Sequence, residues 1–141
     1  LRVIQLQIAF VYLISGIDKA ASGSWQRGSA LYYSLSTDNY LRSDWLVAPL
    51  LDSPIGYKVL KIGTWVTMYW ELSFCFLVLW RPTRWLAIIM GALIHVGIHG
   101  TMMVAFFSAA SMWAYLAFLP YDWVERVERW WRLRRVENLA R

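Results

Sequence analysis

Five ionisable side chains fall inside or at the edge of apolar stretches: Asp18, Lys19, Glu71, His95 and His99. Each is costly there. On insertion scales a Lys or Asp at the centre of a membrane helix costs about 2.5–3.5 kcal/mol, so such residues are usually paired, inward-facing and functional. Lys19 offers the sharpest chemistry. An amine partly withdrawn from water is disfavoured in its charged form and can serve as a general base. The same lysine can instead snorkel to the interface or neutralise the adjacent Asp18 as a structural pair. Glu71 can hydrogen-bond a neighbouring helix as the neutral acid, or hold Lys19 or a histidine in a chosen protonation state. His95 and His99, spaced i,i+4, project from one helix face. Two histidines can ligate a metal, but only Glu71 and Asp18 offer further ligands and no motif fixes their distance. Hydrogen bonding between helices is the plainer reading, and no metal site is expected.

The elements that must position these groups follow from composition and spacing. The chain has 141 residues, 59% of them hydrophobic, 16% charged, and 10 of them tryptophan, with a mean hydropathy of +0.41. A soluble domain carries about 25% charged residues, so the deficit indicates an integral membrane protein whose partner is the lipid bilayer. Several spans consume almost the whole length, which leaves one membrane domain, residues 1–141. The net charge of +5 does not indicate nucleic acid, because the basic residues flank apolar segments or lie in a Trp-rich tail, as at a membrane interface. The lone Cys75 excludes an intramolecular disulfide.

Four spans are predicted, at residues 3–17, 62–80, 85–103 and 107–123, making the chain an all-α membrane protein. The first is short, since fifteen residues reach roughly 22 Å against a hydrocarbon core of roughly 30 Å. It looks truncated, and residues preceding Leu1 are expected in the native protein. Gln5 and Gln7 face other helices or the interface. Residues 85–119 carry no formal charge if the histidines are neutral. One helix of that length would overshoot the bilayer, so a break is placed near Gly97, Gly100, Thr101 and Ser108, and Pro120 kinks or ends the fourth span.

Residues 20–56 read as an extramembrane cap rich in aromatic rings: Trp25, Tyr32, Tyr33, Tyr40 and Trp45. Short helices are predicted at residues 28–35 and 43–51, the second capped by Ser43 or Asp44. The rings suit the headgroup level, and Trp25, Tyr32 and Tyr33 are also candidates for binding an apolar quinone or lipid. The tail, residues 122–141, reads as an amphipathic interfacial helix, with Val124, Val127 and Trp131 on one side and i,i+4 pairs Glu125–Arg129 and Glu128–Arg132. Nine Lys and Arg residues flank the spans on the tail side against five on the cap side. The positive-inside bias places the tail in the cytoplasm, and Lys19 and the cap outside or in a lumen.

An ordered set of pieces carries a family likeness. Leu1-Arg2, Gln7-Ile8, Val11-Tyr12, Ser15-Gly16-Ile17-Asp18-Lys19 and Trp25-x-x-Gly28 are followed by Glu71-Leu72-Ser73, His95, Thr101-Met102, Phe107-Ser108 and Phe118-Leu119-Pro120. The set resembles the membrane core of vitamin K-dependent γ-glutamyl carboxylases and of the wider HTTM (horizontally transferred transmembrane) domain. The resemblance implies that Lys19 is the catalytic base that deprotonates reduced vitamin K or another quinone. Oxygen then adds to give a strong base that removes the γ-proton of a peptide glutamate, and the carbanion captures carbon dioxide. It further implies supporting polar roles for Glu71 and His95, beside the candidates Asp18 and His99, and an upstream Asn-His segment that would lie before Leu1. A rival reading is a non-catalytic subunit whose Trp-rich faces pack against partner membrane helices. A metal-dependent oxidoreductase is a third.

Overall fold

A computed structural model of the chain describes residues 1–37, 41–104 and 106–139. Asp38 and Tyr40 of the cap, Arg141 of the tail and the side chain of Val127 lie outside the described residues. The architecture is all-α: α1 (Arg2–Ala21), three short helices α2 (Gly23–Gln26), α3 (Ala30–Leu35) and α4 (Asp44–Leu51), then α5 (Pro54–Leu79), α6 (Arg84–Thr101), α7 (Phe107–Tyr115) with a 3₁₀ turn (Leu116–Phe118), and α8 (Tyr121–Leu139). Three helices, α1, α5 and α6, are long and apolar enough to cross a membrane; the apolar stretch Phe107–Phe118 is shorter. These three helices and the shorter apolar stretch form the bundle, with α2–α4 as a cap between α1 and α5.

Several boundaries differ from the sequence expectation, each for a local reason. α1 does not stop at Ile17 but runs through Asp18 and Lys19 to Ala21; at 20 residues it reaches roughly 30 Å, a full span. α5 begins at Pro54 rather than Ile62. The Ser53 hydroxyl accepts from the Gly56 amide at 2.9 Å and Pro54 occupies the first turn, where its missing N–H costs nothing. Lys58 and Lys61 therefore sit on the helix rather than before it, and the cap ends at Ser53. α3 begins at Ala30 rather than Gly28, because Gly28 turns the chain with φ of 75°. Ser43 is the N-cap of α4 but makes no side-chain cap bond. α6 ends at Thr101, two residues before the expected Met103. The fourth passage tightens into the 3₁₀ turn and stops before Pro120, so it does not reach Trp123 as a span.

Two tight connections hold the bundle. After α5, Thr83 donates to Leu77 O at 2.7 Å and Arg84 Nε donates to Val78 O at 3.0 Å, satisfying carbonyls that a helix end leaves without partners. At the opposite end, Leu41 bridges Met102 and the Arg42 amide donates to Thr101 O at 3.0 Å, fastening the cap to α6. The main core is Ala9, Tyr12, Trp70, Phe74, Val78, Ala87, Tyr115 and Phe118; a smaller cluster of Leu35, Val47 and Leu60 lies under the cap. Most of α1 outside its Ala9–Tyr12–Gly16 stripe is exposed apolar surface, including Val11, Ile14 and Ile17, as expected of a helix facing lipid. In α8, Arg132 donates to Glu128 at 2.5 Å, whereas Glu125 and Arg129 form no ion pair among the described residues. Both pairs are exposed, where such contacts gain little.

Candidate functional site

The site begins at a glycine. A Cβ built on Gly16 would lie 2.8 Å from the Leu72 amide nitrogen and 3.1 Å from the Glu71 carbonyl carbon, so only glycine lets α1 and α5 approach this closely. Lys19, three residues on, and Glu71, next to Leu72, are thereby brought face to face. The Lys19 amine donates to Glu71 Oε2 at 2.7 Å and to Ser15 Oγ at 2.6 Å, and lies 5.1 Å from the centre of the Trp25 ring. The two charged side chains are only 21% and 11% exposed.

Asp18 takes no part. It is exposed, because consecutive helix residues point about 100° apart and do not face each other. The expected Asp18–Lys19 pair is replaced by Glu71–Lys19, one of the alternatives open for Glu71.

The ion pair sits on the wall of a half-open cavity of about 760 Å³ lined by α1, α5, α6, α7 and the underside of the cap, within the usual range of about 300–1,000 Å³ for small-molecule pockets. Its lining is largely apolar, with Ser15, Lys19, Glu71, Tyr12, Thr67 and Ser111 among the polar side chains. Of the three aromatic candidates, Trp25 lines the cavity. Tyr32 instead packs edge-on to Tyr57, with centroids 5.4 Å apart, and Tyr33 is exposed. Gln7 lines the cavity, while Gln5 donates to Ala117 O at 2.6 Å, so both meet protein rather than headgroups alone.

The two histidines separate. His95 is buried behind Tyr12, whose hydroxyl lies 2.9 Å from His95 Nε2 and 2.8 Å from the Tyr115 hydroxyl. His99, one turn on, is exposed and accepts from Arg42 at 3.0 Å. Among the described residues no three His, Cys, Asp or Glu side chains come together.

Sequence reasoning quoted Tyr12 within the family set but gave it no role, and did not single out Tyr115 or Ser111. A signal was present in the spacing. Tyr12-Ser15-Lys19 on α1, Thr64-Thr67-Glu71 on α5 and Ser108-Ser111-Tyr115 on α7 each repeat at i, i+3, i+7, which puts three polar residues on one face of an otherwise apolar helix. All three stripes turn inward.

Comparison with known proteins now bears on this geometry. A family model described as the HTTM domain matches residues 1–123. The chain belongs to the HTTM family. The match takes in every passage of the bundle, the cap and all residues of the cavity wall, and leaves most of α8 outside it. No curated protein and no solved structure matches this HTTM chain.

The cavity of the HTTM chain yields a direct prediction. A Cβ on Gly97 would meet no atom within 4 Å, and Gly97 lines the cavity. Gly97→Leu, whose Cβ meets nothing, should therefore extend into ligand space and weaken an occupying ligand by at least about tenfold, equivalent to roughly 1.4 kcal/mol. Titration of the purified protein with a flat apolar aromatic compound, followed by tryptophan fluorescence, tests this; undiminished binding would show that the ligand does not use this space.

Proposed function

We propose that the chain is the core of a membrane enzyme of the γ-carboxylase type, with Lys19 as the base that takes a proton from a lipid-soluble reduced quinone. The observation that carries this reading is the Lys19 amine, held by Glu71 and Ser15 on the wall of a largely apolar cavity. The residues fit such a ligand. The lining suits a flat hydrocarbon body, Trp25 offers a ring face, and the polar atoms are few and converge, which is how small-molecule sites fix orientation. The scaffold reading would favour side chains filling the space beside Lys19, and the cavity supports ligand binding over it.

Proton transfer along the 2.7 Å contact from Lys19 to Glu71 converts the ion pair into a free amine and a carboxylic acid. The amine then accepts a proton from a hydroxyl placed in the cavity, becoming an ammonium beside the oxyanion it has made. Glu71 thus stores one proton while Lys19 handles another, and Ser15 keeps the amine folded along α1. A bound reduced quinone would supply, with dioxygen, the oxidation that drives removal of a glutamate γ-proton ahead of capture of carbon dioxide. On this reading the peptide substrate approaches from the cap side, outside the cell or in a lumen, and α8 lies in the cytoplasm, as the excess of basic residues on the tail side favours.

The test is Lys19→Ala and Lys19→Arg in the full-length protein in membranes. A general base contributes about 10²–10⁴-fold, so quinol oxidation and glutamate carboxylation should both fall by at least about 10²-fold in both variants. Arginine keeps the charge opposite Glu71 but does not give up its proton, so its failure separates base chemistry from charge pairing. Unchanged rates in Lys19→Ala would exclude catalysis by this lysine.

A further inference from the structure

The helix α8 carries a face that the rest of the chain leaves open. Among the described residues every α8 side chain is exposed, and the family match ends at residue 123, so most of this helix lies outside the HTTM pattern. Its root is nevertheless fixed. Trp123 packs edge-on to Trp85, with ring centroids 6.2 Å apart, and Trp85 lies in the first turn of α6, next to the turn that holds the exposed Arg81. α8 therefore starts at the end of a membrane-spanning helix, the level at which lipid headgroups begin.

The register sorts its side chains. At about 100° per residue, Trp123, Val124, Trp130 and Trp131 share a sector roughly 120° wide, with Arg126 and Arg135 just outside its two edges and Asp122 and Glu125 on the far side. Arg134 falls inside the sector, its guanidinium carbon 4.3 Å from the centre of the Trp130 ring. The Trp130 and Trp131 rings meet edge-on at 5.2 Å and are 47% and 63% exposed. Residues 129–135 contain four arginines and no acidic residue. Glu128 is taken up by Arg132, while Arg126, Arg134 and Arg135 form no ion pair among the described residues. At a bilayer surface each part of this face has a partner. The indole rings settle at the headgroup level, and boundary arginines lay their stems along apolar surface while their heads reach the phosphates. A guanidinium stacked on an indole belongs at the depth of the phosphates and not of the acyl chains. Zwitterionic lipids bring their own cation to that layer, so an uncompensated basic cluster favours headgroups of net negative charge, by about fivefold for each basic residue near the surface.

We propose that residues 126–135 of α8 lie along the leaflet beside the Pro82 turn and gather anionic lipids, with Trp130 and Trp131 as the anchor and Arg126, Arg134 and Arg135 as the headgroup contacts. The bilayer is favoured over a second protein because the tryptophan face continues from Trp123, which is already held at the end of a span, and because charge is arranged along its rim. The assignment is independent of the chemistry at Lys19; either can fail without the other.

The test reconstitutes the full chain in vesicles of phosphatidylcholine and phosphatidylglycerol in fixed proportion, with brominated acyl chains placed either on the phosphatidylglycerol or on an equal amount of the phosphatidylcholine. Bromine quenches nearby tryptophan, and subtracting the signal of Trp130→Phe/Trp131→Phe isolates these two rings from the other eight. Their quenching should be about twofold or more stronger when the bromines sit on phosphatidylglycerol, and the preference should shrink at about 1 M salt, where charges are screened within about 3 Å. Arg126→Gln/Arg134→Gln/Arg135→Gln should bring the two quenching values together, and the matching lysine variant, which keeps the charges, should restore the difference. An SDS-unfolding titration of the glutamine variant should coincide with the wild type, since these side chains are exposed. Equal quenching from both lipids in the wild type would overturn the anionic preference, and quenching from neither would take the face off the bilayer and leave it for a protein partner.

Discussion

Gly16→Ala is expected to destabilise the protein, although the same substitution in an unencumbered helix stabilises it. Alanine gains about 1 kcal/mol over glycine in helix propensity. Here the added methyl would sit 2.8 Å from the Leu72 amide nitrogen, and because that neighbour is backbone, the two helices must move apart. Overpacking of this kind costs about 1–3 kcal/mol, which outweighs the propensity gain, and Gly16→Val should cost more because a second branch must fit the same gap. The displacement also draws Lys19 away from Glu71, so stability and activity should fall together. An SDS-unfolding titration measures the first, with Gly97→Ala as the matched control, since its methyl meets nothing within 4 Å. A Gly16→Ala protein as stable as that control would mean that α1 and α5 are not in contact at this point.

The passages of this bundle were legible because long apolar runs bounded by Arg, Lys and Pro have few other interpretations. Their ends were less so. Lys58 and Lys61 look like the boundary of a span, yet the chain is already helical at Pro54, and the Ser53-Pro54 pair was the better marker because capping acts on the backbone while charge only reports where water begins. The fourth passage was overextended to Trp123 because Tyr121 and Trp123 continue the aromatic pattern past Pro120, although Asp122 already marks the fall in hydropathy and the backbone changes at the proline. In the site, Lys19 and Glu71 were recognisable one at a time as ionisable groups in apolar surroundings, but adjacency in sequence suggested Asp18 as the lysine's partner. The true partner comes from 52 residues away through a close approach that Gly16 permits, and a single glycine in an apolar helix does not announce which helix it touches. Tyr12 and Tyr115 were hidden for another reason. In a chain with 8 tyrosines, a tyrosine in a span reads as an interfacial ring unless its neighbours at i+3 and i+7 are also polar, as they are for Tyr12.

Breaking the Lys19–Glu71 pair from either side should cost more than removing it entirely. Glu71→Leu leaves a partly buried ammonium without its counter-charge, and loss of one partner of a buried pair typically costs about 3–5 kcal/mol. The 21% exposure of Lys19 lets its amine move toward the interface, which places this variant at the lower end. Lys19→Met leaves the deeper carboxylate, which is 11% exposed, without its counter-charge. The double variant Lys19→Met/Glu71→Leu fills the same space with hydrocarbon, and such replacements are often neutral or stabilising by about 1–4 kcal/mol. Unfolding free energies of the four proteins should therefore form a strongly non-additive cycle, with the double variant at or above the wild type. If Lys19 is the base proposed above, turnover should be lost in the double variant despite its intact fold, because the apolar replacement restores packing without restoring a proton acceptor. Additive losses would mean that the two groups ionise independently in the membrane, and the proton exchange proposed between them would have no basis.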